Sequence, residues 1–341
     1  MQTDHWVEAP LISVIVPVRN GAEFVHKCLT ALFASEFGSF EVIVVDDGSS
    51  DGTAAIVRQF PCLLIETAAP GGPAAARNLG ASHARGGVLF FLDADVLVQP
   101  DSLAIVAERM AADPGLAALF GSYRADTVPE NFLSRYKNLV HHHTHQTSRE
   151  DASTFCSGFG AIRREAFERL GGFNPACRFL EDVEVGYRMY GRSMRVRLCK
   201  ELQLTHCKRY SLKSLVRSDV LGRAIPWTRL MLENRVFRSD LNTQWHNLLS
   251  GPVACLLPAA ALIPPRPLVF SSLLILLLAL NAGFLRLCYR RGGVAFLLGC
   301  CVMCWFTYVY SAAGLAAGVV AHLFNLPIAR VSTEAASVPE S

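Results

Sequence analysis

Short apolar runs alternate with amphipathic stretches between residues 11 and 124. Five runs have the length of buried strands, and four stretches between them have helical spacing. The predicted strands are Leu11–Val18, Phe40–Val45, Leu63–Glu66, Val88–Leu92 and Leu116–Tyr123, and the predicted helices are Glu23–Phe33, Thr53–Phe60, Pro73–Ala84 and Ser102–Met110. This alternation indicates βαβ units, and therefore an α/β domain with a mostly parallel, Rossmann-like sheet flanked by helices.

Polar residues interrupt this pattern after the fifth strand. Residues 125–150 include four histidines between positions 141 and 145. We expect a mobile helix or loop there, solvated or facing an acceptor, rather than core. Consecutive histidines cannot all face one ion, so they do not predict a metal site. An acidic, glycine-rich section follows, and the catalytic domain is predicted to cover residues 11–207.

The remaining third of the chain becomes basic and then strongly apolar. Residues 208–247 mix basic side chains with leucines, which is typical of an amphipathic segment on a membrane surface or of a solvated helix packed on its own domain. Residues 267–285 and 294–324 are uncharged and long enough to cross a membrane, which takes about 20 residues. Residues 248–263, interrupted by two prolines, are a possible third crossing or a re-entrant segment.

Charge placement predicts the orientation of these spans. Three arginines between positions 286 and 291 separate the two long apolar segments, so this loop is expected to be cytoplasmic. Residues 1–10 lack the basic start and apolar stretch of a signal peptide, so the catalytic domain is expected in the cytoplasm too. The predicted segments are an N-terminal tail (1–10), the catalytic domain (11–207), an interfacial segment (208–247), a transmembrane region (248–326) and a C-terminal tail (327–341).

Composition narrows the function classes. Apolar residues make up 51% of the 341 residues, and the formal net charge is only +3. The mean hydropathy of +0.30 is high for a soluble protein. Without an arginine-rich arm or an aromatic RNA-binding motif, this small charge gives no argument for nucleic acid as a partner.

Carboxylates follow two of the predicted strands directly. Asp46 and Asp47 come after the second strand, and Asp93 and Asp95 come after the fourth. Ligands of open α/β sheets bind beyond the carboxyl ends of the strands. Asp93 and Asp95 are therefore candidate ligands of Mg²⁺ or Mn²⁺, which prefer oxygen donors and share substrate phosphates. Asp46 and Asp47 are candidates for binding the base or ribose of a nucleotide.

Three further positions have side chains suited to chemistry. Arg77 lies at the start of a helix after a glycine-rich loop, where it could reach a diphosphate or serve as a plain surface residue. Glu181 and Asp182 are candidate catalytic carboxylates, with Asp182 as a base, or simply an acidic helix start. His206 ends a strand-like run, where it could bind the metal or the leaving diphosphate, or only cap the strand.

Eight short fragments follow one another in a specific order along the chain, although each alone is common. They are Ser13–Asn20, Val44–Thr53, Ala76–Asn78, Asp93–Asp95, Cys156–Gly158, Arg163–Glu165, Gly171–Phe173 and Glu181–Gly186. Together they resemble the family 2 glycosyltransferases with the GT-A fold, over roughly residues 11–210. The resemblance implies a nucleotide-diphosphate sugar donor, a divalent metal at Asp95 with Asp93 nearby, and inversion at the anomeric carbon.

The resemblance also implies particular roles for matching residues. Pro17, Asn20, Asp47 and Arg77 would contact the nucleotide, and Asp182 would be the base. Processive relatives carry a Gln-x-x-Arg-Trp motif, whereas this chain reads Gly222–Trp227 in the corresponding region. We therefore expect transfer of a single sugar rather than polymerisation.

The sequence thus predicts a multi-pass, cell-membrane glycosyltransferase of the cell envelope with a cytoplasmic catalytic domain. The expected donor is a UDP-sugar, with a GDP-sugar next, and the expected acceptor is a hydroxyl of a membrane lipid, lipid-linked sugar or glycan. Two alternatives stay open. A polyprenyl-phosphate acceptor is already ionised and needs no base, and a non-catalytic membrane scaffold could retain the same fold.

Overall fold

A computed structural model describes residues 11–177, 179–238, 241–262, 264 and 266–326. The predicted tails, residues 1–10 and 327–341, lie outside this range. The described residues form two compact units. We call residues 11–124 and 150–208 the sheet unit, and residues 125–149 and 209–326 the helical unit.

The elements of the described residues alternate as the sequence pattern predicts. The strands are β1 (Ile12–Val18), β2 (Phe40–Asp46), β3 (Leu63–Glu66), β4 (Val88–Leu92), β5 (Val96–Leu97), β6 (Leu116–Tyr123), β7 (Asp151–Ala152), β8 (Phe159–Arg163) and β9 (Arg195–His206). The helices are α1 (Ala22–Phe33), α2 (Thr53–Val57), α3 (Pro73–His83), α4 (Ser102–Ala112), α5 (Phe132–Thr147), α6 (Arg164–Leu170), α7 (Glu181–Gly191), α8 (Leu212–Asp219), α9 (Ile225–Asn234), α10 (Trp245–Ala260), α11 (Arg266–Leu280) and α12 (Ala282–Leu323).

The strands of the sheet unit form one mixed sheet in the order β3-β2-β1-β4-β8-β6-β9-β5, with β7 beside β9. Strands β3, β2, β1 and β4 are parallel, and β6 is parallel to β9. Strand β8 lies antiparallel between β4 and β6. The predicted α/β class is confirmed, and the antiparallel insertion of β8 is a feature that the strand pattern did not predict.

Alternate residues of the central strands pack against helices on opposite faces. Val14 and Val16 of β1 are fully buried in a cluster with residues of α1 and α4. On the other face, α3 comes so close to β1 that a Cβ on Gly80 would lie 2.5 Å from Ile15. Both faces are therefore covered, which is why these strands read as continuous apolar runs.

The helical unit is built around the apolar faces of α5 and α12. Tyr136 and Leu139 of α5 are 2% exposed and pack in a cluster with Phe284 and Phe296. The expectation that residues 125–150 lie outside a core is therefore wrong. Apolar residues recur in α5 at helical spacing, with polar residues between them, so they share one face of the helix and pack together.

The long helix α12 reverses direction at Gly293. This glycine has φ 71° and ψ −166°, which is a non-helical conformation. Cys288 contacts Cys300, although twelve residues of straight helix would separate them by about 18 Å. Residues 282–292 therefore lie antiparallel to the helix that follows. The loop predicted around the three arginines is wrong, because Arg286, Arg290 and Arg291 are helical.

By length and composition, one helix of the described residues could cross a membrane, and this is α12. The part of α12 that follows Gly293, residues 294–323, is long enough for such a crossing. Residues 267–280 form a shorter apolar helix. The apolar C-terminal region is confirmed as helical, and it suggests membrane association. The number of crossings stays a prediction.

Candidate active site

The predicted acidic residues meet at one edge of the sheet unit. Strand β1 pairs in parallel with both β2 and β4, with Ile15 opposite Ile43 on one side and Phe91 on the other. The carboxyl ends of these strands therefore open onto the same edge. This places Asp46 and Asp93 where α/β proteins bind ligands.

Asp46 and Asp47 shape the loops around this edge. Asp46 is buried, and its Oδ1 accepts the N–H of Ser49 at 2.9 Å. Asp47 is also buried and accepts the N–H groups of Gly71 and Gly72 at 2.7 and 2.8 Å. Both carboxylates therefore have a structural role in the free protein, and the predicted nucleotide contacts remain predictions.

Asn20 joins the loop after β1 to the loop after β2. Its N–H donates to Ser49 Oγ at 2.8 Å, and its Oδ1 accepts the N–H of Ser50 at 2.8 Å. Asn20 has φ 49°, a region that asparagine tolerates better than most residues. Pro17 lies in β1 opposite Val45. Two of the residues predicted to contact the nucleotide thus lie at the same strand ends.

Arg77 of α3 joins Glu181 of α7 to Asp93 at the end of β4. Its Nη1 donates to Glu181 Oε1 at 2.5 Å, and its Nη2 donates to Asp93 Oδ1 at 2.7 Å. The arginine is 4% exposed, and its Nε has no partner among the described residues. The structure therefore does not place Arg77 as a surface residue. It orients two acidic groups, and the predicted diphosphate contact remains a prediction.

Asp182 has the electrostatic environment of a base. Burial and the charge of Glu181 raise its pKa to about 7, although the positive charge of Arg77 opposes this rise. Its Oδ1 accepts the N–H of Val183 at 2.8 Å. A carboxyl group with a pKa near neutrality can both remove and hold a proton at physiological pH. Sequence alone gave the residue type here, and the structure adds the shifted pKa.

The backbone before α7 is strained where it delivers this residue. Leu180, the residue before α7, has φ 58°, which is uncommon for a leucine. At the next turn, a Cβ on Gly186 would lie 2.4 Å from the backbone N of Phe155. Close packing of α7 on this backbone therefore fixes Asp182 at the sheet edge.

Asp95 and His206 lie side by side, as their strands require. Strand β5 pairs with β9 so that Val96 is opposite His206, and Asp95 Oδ2 lies 3.5 Å from His206 Nε2. The Asp93 side chain is 40% exposed, and that of Asp95 is 28% exposed. Accessible carboxylate oxygens suit Mn²⁺ or Mg²⁺. No group of three or more potential ligands is arranged for a metal within the described residues.

Two supporting residues were given no role by the sequence. Asn78 contacts the backbone of Phe173, accepting its N–H at 2.9 Å and donating to its carbonyl at 2.8 Å. The Phe173 side chain is 1% exposed, and the centre of its ring lies 5.7 Å from the guanidinium carbon of Arg77. The two preceding glycines both have positive φ, which signals a turn but not the direction of the ring.

Comparison with known proteins identifies the family of this domain. Residues 13–171 match the model of glycosyl transferase family 2. An uncharacterised glycosyltransferase of Haemophilus influenzae is 27% identical over 226 residues, which cover 64% of this chain and 76% of that protein. The next two curated relatives are matched over only 31% and 19% of their own lengths.

Two solved structures share the fold. The mannosyltransferase PcManGT from Pyrobaculum calidifontis, in complex with GDP-Man and Mn²⁺, has a TM-score of 0.59 at 21% identity, covering 94% of this chain and 89% of its own. TarS 1–349 from S. aureus, in complex with UDP-GlcNAc, has a TM-score of 0.51 at 16% identity, covering 92% of each chain. Residues 13–171 are therefore a family 2 glycosyltransferase domain with a GT-A-type fold, and the chain is a glycosyltransferase.

Proposed function

We propose that the protein is a membrane-anchored, inverting glycosyltransferase that moves one sugar from a nucleotide-diphosphate donor to a hydroxyl of a lipid-associated or glycan acceptor. The observation that carries this proposal is the position of Asp182 beside Glu181 and Arg77, whose guanidinium also holds Asp93. Burial and the charge of Glu181 raise the pKa of Asp182, which supports the same role. A hydroxyl nucleophile must lose its proton as it attacks, and Asp182 is suited to accept it.

The donor is proposed as a nucleotide sugar because both structural neighbours were solved with one. PcManGT holds GDP-Man and TarS holds UDP-GlcNAc. These two complexes support a nucleotide-sugar donor, and both UDP and GDP remain candidates for its nucleotide. In this chain, Asn20 and Asp47 organise the loops at the strand ends and are proposed to meet the nucleotide.

Mg²⁺ or Mn²⁺ is proposed at Asp95, with Asp93 nearby and His206 as a further ligand. PcManGT contains Mn²⁺, and the exposed carboxylate oxygens of this chain suit such an ion. When bound, a divalent ion neutralises charge that develops on the departing diphosphate. Arg77 holds Asp93 in place from the buried side.

The proposed step uses the side chain of Asp182 as the proton acceptor, with Glu181 raising its affinity for that proton. The acceptor O–H proton passes to the Asp182 carboxylate while the acceptor oxygen bonds to the anomeric carbon. The bond from that carbon to the diphosphate breaks on the opposite face, which inverts the configuration. The products are the glycosylated acceptor and the nucleoside diphosphate.

The helical unit is proposed to hold the enzyme at the cell membrane, with the catalytic domain on the cytoplasmic side. Large apolar side chains on its helices are exposed, including Leu268, Ile275, Leu298 and Val302. Such surfaces mark membrane or protein contacts. The long apolar helix α12 supports membrane association, and a multi-pass arrangement is part of the proposal. Cell-envelope synthesis follows from this location as part of the proposal.

The second candidate is transfer to a polyprenyl phosphate. Its acceptor carries a negative charge, so Asp182 would be dispensable for proton removal. The acidic pair at 181–182 favours a hydroxyl acceptor. Steady-state turnover separates the two, because Asp182→Asn should lose nearly all transfer to a hydroxyl and much less to a phosphate.

The proposed function is tested by donor hydrolysis with purified, detergent-solubilised protein. A panel of UDP- and GDP-sugars with Mn²⁺ or Mg²⁺ should yield metal-dependent turnover of one donor. Asp95→Asn should abolish it, whereas Asp101→Asn, an exposed carboxylate at the start of α4, should not. No nucleotide binding with any donor would contradict the proposal.

A further inference from the structure

A tight turn of the sheet unit, residues 171–173, follows α6, and we call it the glycine turn. Gly171 and Gly172 have φ 77° and 74°, in the left-handed region that glycine adopts readily. Phe173 comes next, and its buried ring packs on Phe91 of β4, with the ring centres 5.0 Å apart. The turn therefore inserts an aromatic side chain beside the strand that leads to Asp93.

Asn78 of α3 holds the backbone of this turn. Its side-chain amide uses both main-chain polar groups of Phe173, accepting the N–H at 2.9 Å and donating to the carbonyl at 2.8 Å. The contact is close, because a Cβ on Gly172 would lie 2.6 Å from Asn78 Oδ1. An amide carries an acceptor and a donor in one plane, so these two bonds fix both the position and the rotation of the Phe173 backbone.

Arg188 of α7 holds the same turn through its carbonyl groups. The guanidinium donates to the carbonyl of Leu170 and to that of Gly172, at 2.7 Å each. Glu184, one helical turn earlier, accepts two hydrogen bonds from this guanidinium at 2.8 Å and so fixes its orientation. The glycine turn is thus bonded to α3 by one side chain and to α7 by another.

The same two helices carry charged groups of the candidate site. Arg77 precedes Asn78 on α3, and Glu181 and Asp182 begin α7. The guanidinium carbon of Arg77 lies over the Phe173 ring at 5.7 Å from its centre, within the range of a cation–π contact. The glycine turn therefore joins both helices and packs against the arginine that pairs across them.

Arg77 has reason to need this support. Its Nη atoms reach two carboxylates, Glu181 at 2.5 Å and Asp93 at 2.7 Å, so a small shift of the guanidinium would break one pair or the other. Its Nε has no hydrogen-bond partner among the described residues. No bond at that atom holds the plane of the guanidinium, which rests instead on the ring of Phe173.

We propose that Asn78 and Arg188 are positioning residues of the transfer reaction. Both fix the glycine turn, and the ring of Phe173 passes that constraint to Arg77. They thereby hold the guanidinium against its carboxylates and set the charge that Asp182 experiences. This inference deepens the proposed function and rests on it, because it adds two residues on which the same site depends.

The variant Asn78→Ala deletes both hydrogen bonds to the Phe173 backbone. Its control is Asn174→Ala, in the segment that follows directly. Asn174 is exposed, and its Oδ1 accepts the N–H of Ala176 at 3.0 Å. The control therefore also loses an asparagine hydrogen bond, but leaves the contacts of the glycine turn in place.

The variant Arg188→Met deletes the bonds to the carbonyls of the glycine turn. Its control is Arg163→Met, because Arg163 also donates to main-chain carbonyls of the sheet unit, those of Leu116 at 2.8 Å and Asp113 at 3.1 Å. Arg163 lies opposite Val88, at the end of β4 that is remote from the site. The control therefore removes a comparable structural arginine without touching Arg77.

The first readout is kcat per folded enzyme and the midpoint of kcat/KM against pH, for the full chain in detergent. Misplacing a reacting group by about 1 Å can cost a hundredfold in rate, so each variant is expected to lower kcat tenfold or more. The charge of Arg77 lowers the pKa of Asp182, so a loosened Arg77 should move the midpoint upwards. A merely structural role would leave the midpoint in place, as both controls should.

The second readout is a double-mutant cycle, which isolates the route through Arg77. Adding Asn78→Ala to Arg77→Met should change kcat/KM less than about twofold, since the group on which Asn78 acts is already gone. Residues that act independently multiply their effects instead. Where Arg77→Met leaves no measurable turnover, Phe173→Leu takes its place in the cycle, because it removes the ring and keeps the backbone.

Either of two results would overturn the inference. One is an unmoved pH midpoint in both Asn78→Ala and Arg188→Met, and the other is a fully multiplicative cycle. If Asn78→Ala does not fold, Asn78→Ser, which keeps one hydrogen-bonding group, is measured in its place. Donor turnover by the unaltered protein separates the two proposals. Its absence rejects the proposed function and this inference with it, whereas turnover with either overturning result rejects only the inference.

Discussion

Replacing Arg77 with methionine should have two linked consequences, because one buried cation serves three carboxylates. Arg77→Met keeps much of the side-chain volume but removes the charge that pairs with Glu181 and Asp93. Losing the pair with Glu181 should cost more stability than losing the pair with Asp93, because the Glu181 side chain is 11% exposed and that of Asp93 is 40% exposed. The free energy of unfolding of the sheet unit should therefore fall, and the affinity of Asp182 for its proton should rise.

The size of the first effect follows from burial. Removing one partner of a buried ion pair costs about 3–5 kcal/mol, and partial exposure of Asp93 places the expected loss near the low end, about 3 kcal/mol. The double variant Arg77→Met/Glu181→Gln should recover about half of this, because no unpaired charge remains at Glu181. The matched control is Arg58→Met, whose exposed pair with Glu66 should contribute less than about 1 kcal/mol.

The assay is a urea titration of the full chain in detergent, with hydrogen exchange of peptides from β1–β4 as a readout specific to the sheet unit. The second effect is read from kcat/KM against pH. Arg77 lowers the pKa of Asp182, so its removal should move the midpoint of the profile upwards. Equal stability losses in Arg77→Met and Arg58→Met, with an unmoved pH profile, would refute the reasoning.

Four further predictions concern Asp182 and two glycines packed close to the site. Because the pKa of Asp182 is about 7, kcat/KM should rise with pH through neutrality as the base loses its proton, and a flat profile would contradict this role. The raised pKa means that the folded state holds this proton more tightly than the unfolded chain, so stability should fall as pH rises from about 4 to about 7; urea titrations of Asp182→Asn should show a weaker decline. A Cβ on Gly158 would lie 2.8 Å from Asp93 Oδ2, so Gly158→Ala should lower donor turnover in a kinetic assay, whereas Gly87→Ala, which meets nothing within 4 Å, should leave it unchanged. On α7, a Cβ on Gly186 would meet the Phe155 backbone, so Gly186→Ala should destabilise the domain by about 1–3 kcal/mol, unlike Gly191→Ala at the open end of the same helix.

Local patterning predicted the parallel half of the sheet closely. Strands β3, β4 and β6 begin and end at the predicted residues, because each is a short apolar run bounded by turn residues. Strand β8 was not predicted. Its place between β4 and β6 depends on pairing with residues that lie 40 to 75 positions earlier in the chain, and such long-range pairing leaves no periodic signal.

In the candidate site too, the residue types could be predicted from the sequence, but their long-range partners could not. The acidic residue types at the strand ends are visible in the sequence, since Asp46 and Asp93 follow apolar runs directly. Their partners are not visible, because Arg77 and Glu181 are 104 positions apart and meet only when α3 and α7 pack at one edge. The raised pKa of Asp182 depends on that meeting and could not be predicted from composition.

The helical unit shows what hydropathy leaves out. Apolar length predicted the helices but placed a loop at the arginines between positions 286 and 291. The chain instead turns at Gly293, where only a glycine adopts the observed dihedral angles without strain. The glycine pair at positions 292–293 is the sequence signal for this turn, whereas the arginines mark no loop.

The measurement that tests the central claim most directly is release of nucleoside diphosphate from a UDP- and GDP-sugar panel with and without Mn²⁺. The account predicts metal-dependent turnover of one donor, lost in Asp95→Asn, retained in Asp101→Asn, and dependent on Asp182 once a hydroxyl acceptor is added. Turnover that is unchanged by Asp95→Asn and Asp182→Asn would contradict it.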